Sequence, residues 1–156
     1  MRGCGQVSEQ PVVLVAGSAS GEVLCLDESL SFWGGVDPRT GEIVDHHHPQ
    51  HGCTVSGRVI AMPSGRGSSS SSSVLLEVIR NGSAPEAILV LEPDEILSLG
   101  SIVAGELYGR SLPVVVLDEA TYSSLVTGET VAVGEDGSLH RQSGSVDDDP
   151  DNTTGG

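Results

Sequence analysis

Six consecutive serines, from Ser68 to Ser73, stand directly behind Pro63-Ser64-Gly65-Arg66-Gly67 and directly ahead of an apolar helical pattern. Val59, Ile60, Ala61 and Met62 read as a short buried strand. Val74, Leu75, Leu76, Val78 and Ile79 read as the core face of a helix that Gly82 can end. The serines therefore fall at a strand-to-helix junction. Composition alone also allows a serine-rich linker, but a linker would not be bounded by core segments on both sides. A glycine-rich turn that opens a helix presents free backbone N–H groups, and the helix dipole adds partial positive charge. Arg66 adds a full one. Such a corner suits a carboxylate or a phosphate, with a serine hydroxyl set against the bound molecule.

A chain of 156 residues is long enough for one domain with its own core. Aromatic residues make up only 3%, which argues against a base-stacking surface for single-stranded nucleic acid. The formal charge of −15 opposes binding to DNA, RNA and anionic membranes. All seven basic residues are arginine, so Schiff-base chemistry and a phosphate-loop lysine are both excluded. Cys4, Cys25 and Cys53 are too widely spaced for a disulfide framework or a self-sufficient iron–sulfur site. The polar start, residues 1–10, has no signal-peptide character, and no stretch nears the ~20 apolar residues of a membrane span. A cytoplasmic location is expected. Residues 1–10 are expected to be flexible, residues 11–141 to form one domain, and the acidic stretch 142–156 to be a disordered tail.

Within the domain, Val12 to Ala16 and Val23 to Leu26 read as strands joined by the turn-rich Gly17-Ser18-Ala19-Ser20-Gly21. A loop follows from Leu30 to Pro38, then a turn and short strand from Thr40 to Asp45, the histidine loop, and a strand from Val55 to Met62. Beyond the serine helix, strand and helix alternate. Ala87 to Leu91 is a strand, and Pro93 opens a helix over Asp94 to Leu99. Pro113 to Leu117 is a strand covered on both faces. Asp118 to Val126 is a short helix closed by Gly128, and Val131 to Gly134 pairs with Leu139 to Arg141 as a hairpin. The sum is a single α/β domain.

Other residues carry chemistry on paper. His46, His47, His48, His51 and Cys53 share one loop, which invites zinc. Adjacent histidines point in different directions, however, and no second cluster is within sequence reach. A cleft-lining or partner-facing loop is the preferred reading, and no metal ligand is assigned. His48 before Pro49 can set an extended bend. Phe32 and Trp33 read as core or interface packing, and Asp37 and Asp45 as turn formers.

Several segments together become specific: Ser31-Phe32-Trp33-Gly34-Gly35-Val36-Asp37, His48-Pro49, Gly57-Arg58-Val59, Pro63-Ser64-Gly65-Arg66-Gly67-Ser68, Arg80-Asn81-Gly82 and Ala84-Pro85. In this order they resemble the small subunit of the aconitase X family, over nearly all of the chain from Val12 to Arg141. The resemblance implies a β/β/α swivelling domain similar to that of aconitase. It implies a heterodimer with a large subunit that holds an iron–sulfur cluster, with the active site in the cleft between them. The implied reaction is a dehydration in which a proton leaves one carbon and a β-hydroxyl departs.

Aconitase-like enzymes use a serine after a Gly-x-Gly turn as the base, and Ser68 after Gly65-Arg66-Gly67 matches that pattern. Gly65, Arg66, Gly67 and Ser69 are the implied substrate-binding residues. Aconitase places an arginine after the catalytic serine, whereas this chain has Ser69-Ser70 there and carries Arg66 ahead of it. An alkoxide is a strong base, and it forms only where N–H groups and positive charge favour the anion. The serine run and the loop from Asp45 to Gly52 resemble the branch that dehydrates cis-3-hydroxy-L-proline to a pyrroline-2-carboxylate. The alternative branch converts 5-phosphomevalonate to trans-anhydromevalonate 5-phosphate. A non-catalytic module that binds an anion or a metal, and a pure scaffold subunit, are the readings of a different class.

Overall fold

The computed structural model describes residues 11–32, 34–64, 70–110 and 112–142. In chain order these form β1 (Val12–Val15), β2 (Ala19–Cys25), β3 (Arg58–Met62), α1 (Ser70–Asn81), β4 (Ala87–Val90), α2 (Glu95–Tyr108), β5 (Val114–Val116), α3 (Glu119–Ser123), β6 (Thr130–Val133) and β7 (Leu139–Gln142). The strands make one sheet in the order β1-β5-β4-β3-β2-β6-β7. Its centre, β5-β4-β3-β2, is parallel, and β1, β6 and β7 join antiparallel at the two sides.

Side-chain alternation explains the layering. Val59, Ala61, Ala87, Leu89 and Val115 face one core, while Ile60, Met62, Ile88, Val90 and Val116 face the other. Strands that are apolar on both faces must be covered on both. On the second face α1 and α2 lie side by side, contributing Leu75, Val78, Ile79, Leu97 and Ala104. The loop between β2 and β3 completes that core with Leu30, Phe32, Val36, Ile43 and Val55. The first face is closed by the sheet itself, which curls until its edges meet. A Cβ on Gly137, in the β6–β7 turn, would lie 2.9 Å from Val13 Cγ2 on β1. Val131 and Val133 thereby pack with Val23, Val59 and Leu89, and Leu125 and Tyr122 cap the end. The layer order is β/β/α, as expected.

Several elements differ from the sequence reading. Ala19, Ser20 and Gly21 are strand, because they pair with Val133, Ala132 and Val131 of β6. Gly21 is needed there, since a Cβ would stand 2.8 Å from the Gly57 carbonyl oxygen. β1 does not neighbour β2 but crosses to the far side of the sheet, beside β5. Residues 55–57 precede β3, and Gly57 turns the chain at φ 73°. Between Thr40 and Asp45 there are isolated bridges, Val36 to Ile43 and Glu42 to Thr54, in place of a strand. α2 runs on to Tyr108, through Gly100 and Gly105, with Gly109 at φ 70° as its C-cap. Pro93 stands just before the N-cap Asp94. α3 ends early, at the C-cap Ser124, and Gly128 instead donates to the Val23 carbonyl at 2.9 Å.

Candidate functional site

β2, β3, β4 and β5 run in one direction, so the loops after them gather at one end of the sheet. In open α/β sheets this carboxyl end is where ligands bind. Here β3 leads through Pro63 and Ser64 toward α1, which starts at Ser70. Ser70 to Ser73 therefore belong to the helix, and α1 begins one turn before the apolar pattern. The first N–H groups of a helix lack intrahelical acceptors, which gives that end its affinity for anions. Gly65, Arg66, Gly67, Ser68 and Ser69, the expected site residues, lie outside the described residues, as does Trp33.

The approach to that turn is firmly held. The Pro63 carbonyl accepts from the N–H groups of Leu91 and Glu92, at 3.0 and 3.1 Å. Ser64 Oγ lies 3.2 Å from Ser29 Oγ, in the loop after β2. That loop is in turn gripped by the histidine loop. His48 Nε2 is 3.0 Å from the Glu28 carbonyl oxygen, and its Nδ1 accepts from Gln50 N–H at 3.0 Å. A carbonyl can only accept and an amide N–H can only donate, so the hydrogen sits on Nε2. Gln50 Oε1 accepts from Asp27 N–H at 3.0 Å, and Gln50 Nε2 donates to Asp27 Oδ2 at 3.2 Å. The loop expected to line the cleft thus stands two steps from Ser64.

The zinc geometry does not assemble around His48, which is 4% exposed with both ring nitrogens engaged. His46 and His51 stack at 4.5 Å, and the side chain of His47 is 99% exposed. Among the described residues no group of three or more His, Cys, Asp or Glu side chains converges on a possible metal. The described residues therefore do not fit an iron–sulfur cluster of their own. Cys25 Sγ points to the Leu125 carbonyl at 3.6 Å. Burial pushes its thiol above the ordinary range, against a lowering hydrogen bond from Thr127. Nearby Tyr122 is pushed up to about 12, first by burial and then by Cys25 and Asp27. Both groups belong to the core under the curled sheet.

Phe32 is core, at 1% exposure. Asp37 Oδ1 accepts from Arg39 N–H and Asp45 Oδ1 from His47 N–H, both at 2.9 Å, so each aspartate shapes its own turn. A cleft of about 430 Å³ beside the carboxyl ends of β4 and β5 is lined, among the described residues, by the acids Glu92, Asp118 and Glu119. Arg58, Arg80 and Arg110 lie toward the other end of the sheet and helices, where Arg110 donates to the Ile79 carbonyl. Sequence reading missed Asp27, Glu28, Ser29 and Gln50. Their partners are 20 to 35 residues away, and no local pattern marks them.

The fold is that of a swivel domain of the aconitase kind. The family model of the aconitase X swivel domain matches residues 9–141, and the chain belongs to that family. It is 62% identical over 109 residues to the cis-3-hydroxy-L-proline dehydratase of Pseudomonas aeruginosa, covering 70% of this chain and 19% of that protein. It is 39% identical over 126 residues to the phosphomevalonate dehydratase small subunit of Thermococcus onnurineus, covering 81% of this chain and 91% of the other. The crystal structure of Thermococcus kodakaraensis aconitase X in its holo form superposes with a TM-score of 0.75 at 34% identity, covering 85% and 96% of the two chains. The chain spans about a fifth of the length of the hydroxyproline dehydratases from Pseudomonas aeruginosa and Hypocrea jecorina.

Proposed function

We propose that this chain is the small, swivelling subunit of an aconitase X-type dehydratase, a hydro-lyase, and that its substrate is cis-3-hydroxy-L-proline. The observation that carries the substrate is the 62% identity to a protein of that name, against 37% to 46% for phosphomevalonate dehydratase small subunits. Ser68 takes the carbon-bound proton, the β-hydroxyl leaves, and a pyrroline-2-carboxylate results. Ser68 serves as base because backbone N–H groups at the start of α1 and the Arg66 guanidinium favour its alkoxide. Gly65 and Gly67 carry no side chains to obstruct the substrate. Arg66 takes the substrate carboxylate, and Ser69 also binds the substrate. The iron–sulfur cofactor of such an enzyme belongs to the large partner subunit. The partner is the large subunit, the substrate is a small carboxylate, and the setting is cytoplasmic, with no role for nucleic acid or membrane. No helix among the described residues is long and apolar enough to cross a membrane.

A second reading has one observation in its favour. The phosphomevalonate dehydratase small subunits are matched over most of their length, 91% in one case. That reading keeps the subunit role and Ser68 and changes the substrate to 5-phosphomevalonate. The large chain that co-purifies with this one should be identified and the pair assayed with both substrates. Pyrroline-2-carboxylate from cis-3-hydroxy-L-proline is the expected product. Turnover of 5-phosphomevalonate without turnover of hydroxyproline would overturn the assignment.

A further inference from the structure

We propose that His48 is a positioning residue for this dehydration, acting through Glu28 and Ser29 on Ser64, where the chain leaves β3. The kinetic part rests on the proposed function above; the structural part does not.

Four observations support it. His48 is 4% exposed, although histidine ordinarily keeps an edge in water. Both its ring nitrogens are used, one within its own loop toward Gln50 and one across to Glu28, 20 residues away. Gln50, which it orients, fastens Asp27 through two further hydrogen bonds. Ser29, the next residue after Glu28, then meets Ser64. A polar chain thus joins a buried ring to Ser64 at the exit of β3, and the loops at either end have no covalent reason to be in register. Displacing a reacting group by about 1 Å can cost about a hundredfold in rate, so such a clamp has a measurable duty.

The two hydrogen bonds can be separated by substitution. Glutamine carries an N–H near the place of Nε2 and can keep the bond to Glu28. Asparagine carries an oxygen near the place of Nδ1 and can keep the bond to Gln50. His48→Gln, His48→Asn and Ser29→Ala should be compared in the assembled enzyme for kcat and KM. They should also be compared in the full isolated chain for thermal midpoint and for hydrogen exchange at the Ser64 amide. Expected are kcat within about threefold of wild type for His48→Gln and a loss of about tenfold or more for His48→Asn and Ser29→Ala, with KM moving less than about twofold. Exchange at Ser64 should quicken in the latter two and not in His48→Gln.

Equal losses in both His48 variants, tracking their thermal midpoints, would reduce His48 to a local fold residue and overturn the proposal. So would a Ser29→Ala enzyme of wild-type kcat. If the wild-type assembly performs no dehydration, the functional reading fails, and exchange at Ser64 alone decides. Quickening in His48→Asn but not in His48→Gln sustains the clamp, and identical exchange in all variants removes it.

Discussion

Ser101 lies fully buried in the middle of α2, where a serine is a weak helix former. Its position is explained by Leu112, whose N–H donates to Ser101 Oγ at 2.6 Å while the Leu112 carbonyl accepts from the same hydroxyl. One side chain therefore satisfies both backbone groups at the entry to β5. Ser101→Ala strands those groups in a dry site, and a loss of about 1–3 kcal/mol is expected in urea unfolding. Asp118, the N-cap of α3, behaves differently. The Thr121 hydroxyl first, and then the Thr121 N–H, hold its carboxyl below the ordinary 3.8. The unfolded chain thus takes up this proton more readily than the folded one. The stability from Asp118 is complete above 3.8 and drains as pH falls through the lower folded value. Asp118→Asn should flatten that part of the acid limb in unfolding measured from neutral pH to below about pH 3, with little change in slope near neutrality. A variant that loses the same stability at every pH would contradict this origin.

At the scale of elements, helix ends and buried strands follow from local chemistry. Asp94 accepts from Leu97 N–H at 2.9 Å as the N-cap of α2, and Asp94→Ala should cost about 1 kcal/mol by thermal or urea unfolding. Pro93 and the acids beside it made this start legible in sequence. The apolar run at Val114–Val116 was equally plain, because burial on both faces leaves no polar position to confuse the pattern. The sequence reading carried this helix only to Leu99, and it runs on through Gly100 and Gly105, two residues of low helix propensity, to Tyr108. Gly100 is in fact buried within the helix. Nor could Ala19 to Gly21 be read as strand, because their pairing partner, β6, comes more than a hundred residues later. The site shows the same division. That a strand, β3, leads toward a helix, α1, was visible in the order of apolar segments. The clamp from His48 through Asp27, Glu28 and Ser29 was hidden, because loops that meet only in space leave no periodic trace.

The whole molecule is a sheet curled over one core, with a helical layer over the other, and its candidate chemistry at one rim. The histidine loop and the Asp27–Ser29 loop stand at that rim, beside Ser64. Among the described residues no metal-binding cluster assembles, and the arginines of β3, α1 and the α2–β5 connection lie at the far end. Under the proposed function it acts by closing on a partner that holds the cofactor. The most direct measurement is the turnover of cis-3-hydroxy-L-proline by the assembled enzyme with Ser68→Ala in this chain, alongside gel filtration of the complex. The account predicts an intact complex with kcat lower by about a hundredfold or more, the scale of a lost general base. An intact complex that dehydrates hydroxyproline at close to the wild-type rate would contradict it.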